Sequence, residues 1–165
     1  MADTEIGPTR FVPMSIRKRK NIRLPRPVYE KPGQVFSITI CTANRQDIFH
    51  NHDLATQLVD TLGFEFIAAR TDILAYCLMP DHIHLLIAPK SGNLIDIISA
   101  WKKFTGNLLR KSGFEGPFWQ RGFYDHALRT EEDLARTAEY MVMNPVRSGL
   151  VVDWEEYRFS WHKWM

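Results

Sequence analysis

Residues 72–88, DILAYCLMPDHIHLLIA, decide the fold of this chain. Two apolar runs, residues 72–79 and 82–88, are separated only by Pro80 and Asp81. Short apolar runs bounded by turn residues are typical of strands, and a Pro-Asp pair is typical of a tight connection between them. The stretch therefore predicts a β-hairpin.

The segments on either side of the hairpin predict the rest of the fold. Two stretches predict further strands, VFSITICTA (35–43) and FWQRGFYDHAL (118–128). Apolar residues at helical spacing predict three helices. The first is capped by His52 or Asp53 and runs to about Ala69, the second runs from about Asn93 to Lys111, and the third covers about residues 131–143. The order β-α-β-β-α-β, then a helix, predicts an α+β protein with a ferredoxin-like antiparallel sheet and an additional C-terminal helix.

Composition divides the chain of 165 residues into a basic arm, 1–33, and a single domain, 34–165. The arm holds eight Lys and Arg against three Asp and Glu, whereas the rest holds thirteen against sixteen. A basic, proline-containing arm is typical of contact with a polyanion, but also of a solvated tail without a partner. No apolar run approaches the ~20 residues of a membrane span, so we expect a cytoplasmic protein without membrane contact.

His82 and His84 lie one residue apart in the third strand. Alternate residues of a strand share a face, so both imidazoles point away from Ile83 and Leu85. Two imidazoles at this spacing can converge on one cation, or they can be two hydrogen-bonded histidines in a sheet. A metal site needs at least one further ligand from elsewhere in the fold.

The last helix offers that ligand. At 100° per residue, Ala138, Met141 and Val142 form its buried stripe, and Tyr140 and Asn144 lie together on another face. An amide oxygen suits Mg²⁺ or Mn²⁺, so His82, His84 and Asn144 are candidate metal ligands, although Asn144 can also simply cap the helix end. A cation beside the tyrosine hydroxyl is an arrangement suited to covalent catalysis, since a metal can polarise a phosphodiester for attack by Tyr140.

These residues resemble a known family. The stretch YCLMPDHIHLLI is similar to the His-hydrophobic-His strand of the single-tyrosine transposases. The stretches TANRQDIF, FWQRGFYDHALRTEEDL and EYMVMNPVRSGLV resemble one branch of that superfamily, the REP-associated tyrosine transposases. The resemblance runs from about residue 34 to Leu150.

The resemblance implies a transposase that uses Mg²⁺ or Mn²⁺, with Tyr140 as the nucleophile and His82, His84 and Asn144 as the metal ligands. It implies a single-stranded DNA endonuclease and strand transferase that acts on repetitive palindromic hairpins through a 5′-phosphotyrosine intermediate. We expect no small-molecule cofactor and favour a monomer over a dimer.

Several basic residues are candidate DNA contacts, each with a structural alternative. Arg45 either binds phosphate or is an ordinary surface arginine, and the residues around the fourth strand either touch DNA or pair with one another. The candidates are Arg45, Arg121, His126 and Arg129 in the domain, with Arg17, Lys18, Arg19 and Lys20 in the arm. Two other functions stay open, a non-catalytic DNA-binding protein with the same fold and a metal-dependent hydrolase of a small phosphoester.

Overall fold

The computed structural model describes residues 23–129 and 131–164. Five strands form one antiparallel sheet in the order β4-β1-β3-β2-β5. The strands are β1 (Phe36–Cys41), β2 (Thr71–Met79), β3 (His82–Pro89), β4 (Tyr124–Ala127) and β5 (Ser160–His162). The helices are α1 (His52–Asp60), α2 (Glu65–Ala68), α3 (Leu94–Lys111), α4 (Glu131–Val142) and α5 (Asn144–Arg147). The first four strands have the predicted ferredoxin-like order, and β5 extends the sheet beyond β2.

Helices cover the two faces of the sheet unequally. The main core lies between one face and helices α1 and α3, where Ile38, Ile83 and Leu85 meet Leu58 and Trp101. A second, smaller cluster lies on the opposite face, which is the face of the two histidines. There, strand residues such as Cys77 and Leu86 pack against Ala138 and Met141 of α4. The predicted face assignment of the hairpin is therefore correct, and α4 lies on the histidine face.

Three predicted elements are shorter or more divided than expected. The fourth strand begins only at Tyr124, because Gly122 adopts a positive φ of 75° that interrupts the extended chain, and only an isolated bridge joins Trp119 to Thr42. The first predicted helix is divided, because Phe64 is extended with ψ near 141° between α1 and α2. Its cap is Asn51, not His52 or Asp53. The last helix ends at Val142, and α5 and β5 were not predicted.

The part of the predicted arm from Arg23 to Gly33 packs on the domain. Tyr29 lies in a 3₁₀ turn, Arg26–Glu30, and is fully buried in the main core. Its ring stacks on Phe36 with 5.1 Å between centroids, and its hydroxyl donates to Asp125 at 2.5 Å. Burial beside the Asp125 carboxylate raises the pKa of Tyr29 to about 12, so the phenol keeps its proton for this hydrogen bond.

This anchor gives a test of the fold. We expect Tyr29→Ala to lower the free energy of unfolding by about 3–5 kcal/mol, the usual cost of deleting a large buried aromatic side chain. Leu24→Ala, at a half-exposed position of the same segment, should cost less than about 1 kcal/mol. Urea unfolding of both variants measures the difference, and equal small losses would show that the segment does not contribute to the core.

No helix in the described parts of the chain is both long and apolar enough to cross a membrane.

Candidate active site

His82 and His84 lie at the centre of the sheet. Strand β3 is paired on both sides, so His84 has Thr39 of β1 as one neighbour and Cys77 of β2 as the other. The two rings are nearly perpendicular, and their Nε2 atoms are 3.0 Å apart. The predicted convergence of the two imidazoles is therefore present in the folded chain.

The other ring nitrogens are held by neighbouring side chains. Nδ1 of His82 is 2.5 Å from Oδ1 of Asp81, and Nδ1 of His84 is 2.9 Å from the hydroxyl of Thr39. A carboxylate only accepts, so His82 donates from Nδ1 and keeps a lone pair on Nε2. The Thr39 hydroxyl can donate or accept, so His84 can present either a proton or a lone pair from Nε2. Outer partners of this kind orient histidine ligands in metal sites.

A third side chain, Arg45, fixes the carboxylate. Its Nε is 2.7 Å from Oδ2 of Asp81, and its Nη1 donates to the sulfur of Cys41 at 2.9 Å. Arg45 and Asn44 both have φ near +55°, a left-handed conformation that turns the chain after β1 back toward the hairpin. The backbone carbonyl of Asp81 also accepts from the backbone N–H of Thr42. The predicted loop residue Arg45 thus supports the histidines through Asp81.

The electrostatics of the pair favour uncharged imidazoles. Burial, the neighbouring His82 and the positive charges of Arg45 and Arg147 lower the pKa of His84 to about 3, and Asp81 opposes them only in part. Burial also lowers the pKa of His82, against the pull of the Asp81 carboxylate. Metal binding requires a neutral imidazole, so this environment suits a ligand pair at neutral pH.

Helix α4 presents the tyrosine. Its buried stripe is the predicted one, with Ala138, Met141 and Val142 all less than 4% exposed, whereas Tyr140 is 66% exposed. Packing of α4 on β2, β3 and β5 therefore leaves the phenol open to a substrate. Asn144 follows as the first residue of α5.

Arg147 joins Tyr140 to Asn144. Its guanidinium carbon lies 3.8 Å over the centre of the Tyr140 ring, and Nη2 donates to the Tyr140 backbone carbonyl at 2.7 Å. The same nitrogen donates to Oδ1 of Asn144. Tyr140 and Asn144 are therefore brought together as predicted, through an arginine that the sequence reasoning did not identify.

The separation of the two Nε2 atoms fits both of the alternatives that the sequence left open, a hydrogen bond between the rings and a shared cation. Two nitrogen atoms that bind one cation at ~2.1 Å, with a right angle between the two bonds, are about 3.0 Å apart. The two Nε2 atoms have this separation. Within residues 23–129 and 131–164, His, Cys, Asp and Glu form no group of three suited to a metal. Among these residues, a third protein ligand would then be an oxygen of another residue type, and the amide of Asn144 is the predicted one.

The half of the histidine face over β1 and β4 is less covered. Thr39 pairs with Tyr124 and Ser37 pairs with His126, which places all four side chains on this face. Tyr124 and His126 are exposed. Arg121 precedes β4 and lines a small cleft with Thr39 and Tyr124. A polar strip therefore runs across the sheet and ends at the histidines.

The remaining predicted DNA contacts lie elsewhere. Arg129 is exposed at the far end of β4, beside residues 31–35. The four basic arm residues, Arg17, Lys18, Arg19 and Lys20, fall outside the described residues.

Sequence reasoning missed three supporting residues, Thr39, Asp81 and Arg147. Asp81 carried a signal, since it directly precedes His82 at the hairpin tip. Arg147 carried a weaker one, because it lies three residues after Asn144 on a possible helical turn. Thr39 carried none, because only the pairing of β1 with β3 places it opposite His84.

Comparison with known proteins decides the family. The family model described as "Transposase IS200 like" matches residues 33–143. The chain belongs to the IS200-like transposase family. The resemblance read from the histidine strand and the tyrosine helix is confirmed.

Named relatives of this transposase-family chain point to one branch. It is 27% identical over 139 residues to the REP-associated tyrosine transposase of Escherichia coli, covering 82% of this chain and 79% of that protein. A Haemophilus influenzae relative whose name includes the same term is 36% identical over 98 residues, covering 50% of this chain and 56% of the relative. The match with the Haemophilus protein thus spans little more than half of that relative's length.

A solved structure supports the fold. A REP-associated tyrosine transposase bound to a REP hairpin superposes with a TM-score of 0.64 at 21% identity, covering 80% of this chain and 78% of the other. The predicted α+β fold with an antiparallel sheet is confirmed.

Proposed function

We propose that this transposase-family chain is a metal-dependent endonuclease and strand transferase. Its substrate is single-stranded DNA next to a hairpin of the repetitive palindromic kind, and its cofactor is Mg²⁺ or Mn²⁺. The observation that carries the proposal is the convergence of the two Nε2 atoms at 3.0 Å on the face where α4 presents an exposed tyrosine. The solved structure with a REP hairpin and the names of the relatives support the choice of DNA.

Tyr140 is the nucleophile in this proposal. Its phenol oxygen attacks the phosphorus of the DNA backbone, and the P–O3′ bond breaks. One DNA fragment is then joined to the protein through a 5′-phosphotyrosine, and the other ends in a free 3′-hydroxyl. The phenol proton leaves to solvent, which reaches the exposed side chain, and the departing 3′-oxygen takes up a proton. Strand transfer is the reverse attack, by a 3′-hydroxyl on the phosphotyrosine.

His82, His84 and Asn144 would hold the cation. When bound there, it polarises the phosphate and stabilises charge that develops in the transition state. Asp81 and Thr39 orient the two imidazoles, and Arg45 keeps the Asp81 carboxylate in place. The polar strip over β1 and β4 leads a DNA strand to this point, with Arg121 beside it for phosphate contact.

A covalent-adduct assay tests the proposal. The protein is incubated with an end-labelled hairpin oligonucleotide carrying single-stranded flanks, with and without Mn²⁺, and run on a denaturing gel. A metal-dependent band of protein-linked DNA is expected. Binding without any adduct or cut product would favour a non-catalytic DNA-binding protein, and hydrolysis of p-nitrophenyl phosphate alone would favour a small-phosphoester hydrolase.

The two residues that orient the imidazoles, Asp81 and Thr39, give a prediction on Mn²⁺ affinity. We expect Asp81→Asn and Thr39→Val each to weaken Mn²⁺ binding by about 10–100-fold, because each removes a partner that orients a ligating imidazole. Asp72→Asn, at an exposed aspartate of β2 paired with Lys90, should leave Mn²⁺ binding unchanged. Isothermal titration of the three variants measures this, and unchanged affinity in Asp81→Asn would argue against His82 as a ligand.

The arm gives a prediction on salt dependence. Deleting residues 1–22 removes five Lys and Arg and two acidic residues, while keeping the packed segment around Tyr29. If the arm follows the DNA backbone, each lost phosphate contact reduces the slope of log K against log salt by about 0.7–0.9. Filter binding between low and moderate salt measures the slope, and an identical slope for both proteins would identify the arm as a passive tail.

A further inference from the structure

Arg147 occupies the oxygen that Asn144 would offer to a cation. Its Nη2 donates both to Oδ1 of Asn144 and to the backbone carbonyl of Tyr140, while the guanidinium covers the Tyr140 ring. One side chain therefore contacts the proposed ligand and the proposed nucleophile together. An amide oxygen that accepts from a guanidinium is less available to a metal, because both cations compete for the same lone pairs.

The guanidinium of Arg147 lies at the surface beside the proposed site. In the described part of the chain, no carboxylate forms a salt bridge with it, and the side chain is exposed. The guanidinium is also close enough to His84 to act on it electrostatically. A positive charge at this position opposes entry of a divalent cation and attracts a phosphate, for which the planar fork of arginine is well suited.

We propose that Arg147 is a positioning residue that holds Asn144 Oδ1 in the DNA-free protein and releases it to the cation when a DNA phosphate takes the guanidinium. This inference rests on the proposed function, and it adds the order in which DNA and the cation bind. DNA arrives first, the arginine exchanges the amide for a phosphate, and the ligand set is then complete. A cation in the absence of DNA finds only the two imidazoles.

The exchange couples the two binding events. If DNA strengthens cation binding through this exchange, then the cation must strengthen DNA binding by the same factor. Removing the arginine should raise cation affinity in the DNA-free protein, because both the competition for Asn144 and the like charge disappear. Loss of the like charge alone would also raise cation affinity, so the effect of Asn144→Ala with and without DNA separates the exchange from a plain charge effect.

The test measures Mn²⁺ binding directly, by electron paramagnetic resonance of free Mn²⁺, in a Tyr140→Phe parent that cannot form the adduct. Arg147→Met keeps the aliphatic contact with the aromatic ring and removes the charge and the donors. We expect it to bind Mn²⁺ about tenfold more tightly than the parent without DNA, within the usual range of coupling between sites. Arg110→Met is the matched control, since Arg110 also donates to an asparagine three residues earlier, Asn107, on the other side of the sheet.

A second variant keeps the inference testable if Arg147→Met melts at a much lower temperature. Asn144→Ala should bind Mn²⁺ as the parent does without DNA, because the amide is held by Arg147 there. With a hairpin oligonucleotide carrying single-stranded flanks, Asn144→Ala should lose most of the increase in Mn²⁺ affinity that the parent shows.

The outcomes separate this inference from the proposed function. Equal Mn²⁺ affinity of the parent and Arg147→Met without DNA, or weaker DNA-free binding in Asn144→Ala, would overturn the exchange and leave the metal site intact. Mn²⁺ binding that His82→Ala does not weaken in either state would overturn the metal site itself, and the exchange with it.

Discussion

Tyr140→Phe is expected to form no covalent DNA adduct and to cut a hairpin oligonucleotide at least about a thousandfold more slowly than the wild type. The change removes only the attacking oxygen, because the ring and its contact with Arg147 remain. The side chain is 66% exposed, so the melting temperature and the affinity for uncut DNA should stay the same. Denaturing gels, thermal melting and filter binding measure the three quantities.

Tyr124→Phe is the matched control for this variant. Tyr124 is also largely exposed and lies on the same face of the sheet, two strands away from the histidines. Its hydroxyl lies in the polar strip and can affect DNA affinity, but it has no part in the proposed chemistry, so cleavage at saturating DNA should continue at the wild-type rate. If Tyr140→Phe still forms the adduct and Tyr124→Phe does not, the nucleophile is Tyr124 of β4 and not Tyr140 of α4.

Loss of either histidine is expected to abolish cleavage. His82→Ala and His84→Ala each remove one of the two converging Nε2 atoms, and one imidazole with one amide oxygen is a poor site for a divalent cation. Mn²⁺ binding should fall with the cleavage rate, whereas hairpin binding should survive because it depends mainly on phosphate contacts. Excess chelator should have the same effect on the wild-type protein.

His50→Ala serves as the control for the histidine variants. His50 is exposed near the start of α1, and its contact with Asp47 is long, at 4.0 Å. Its loss should change neither Mn²⁺ binding nor cleavage. Full cleavage by the wild-type protein in excess chelator would remove the metal from the mechanism, whatever the variants show.

Much of the fold follows from local patterns. The hairpin, the facing of His82 and His84, and the buried stripe of α4 each depend on a single periodicity that one segment carries by itself. β5 was missed because its three residues, Ser160–His162, contain no apolar run, and they become a strand only by pairing with the edge of β2. The division of the first helix was missed because the apolar pattern in the sequence continues across Phe64. The backbone of this one residue is extended, which is enough to interrupt the helix.

The proposed nucleophile and the two histidines could be named from the sequence, whereas most of the residues that support them could not. Tyr140 and the two histidines carry distinctive chemistry at distinctive spacing. Thr39 was missed, and Arg45 was named only as a phosphate contact or a surface arginine. Both act through contacts between distant segments, which depend on strand register and on a left-handed turn. Arg147 depends on α5, a helix of four residues that follows Pro145 and is too short to give a periodic signal.

The central place of β3 in the sheet determines which residues of the candidate site are held rigidly. Separating β3 from its neighbours breaks hydrogen bonds on both sides and disrupts the main core, so its amide hydrogens should exchange with solvent only when the whole domain unfolds. Met141 and Val142 also fix the end of α4 on the sheet, and Pro145 of α5 is buried. The exposed side chains of Tyr140 and Arg147 can rotate without disturbing this core. We therefore expect a substrate to be accommodated by side-chain rotation, while the imidazoles keep their positions in β3.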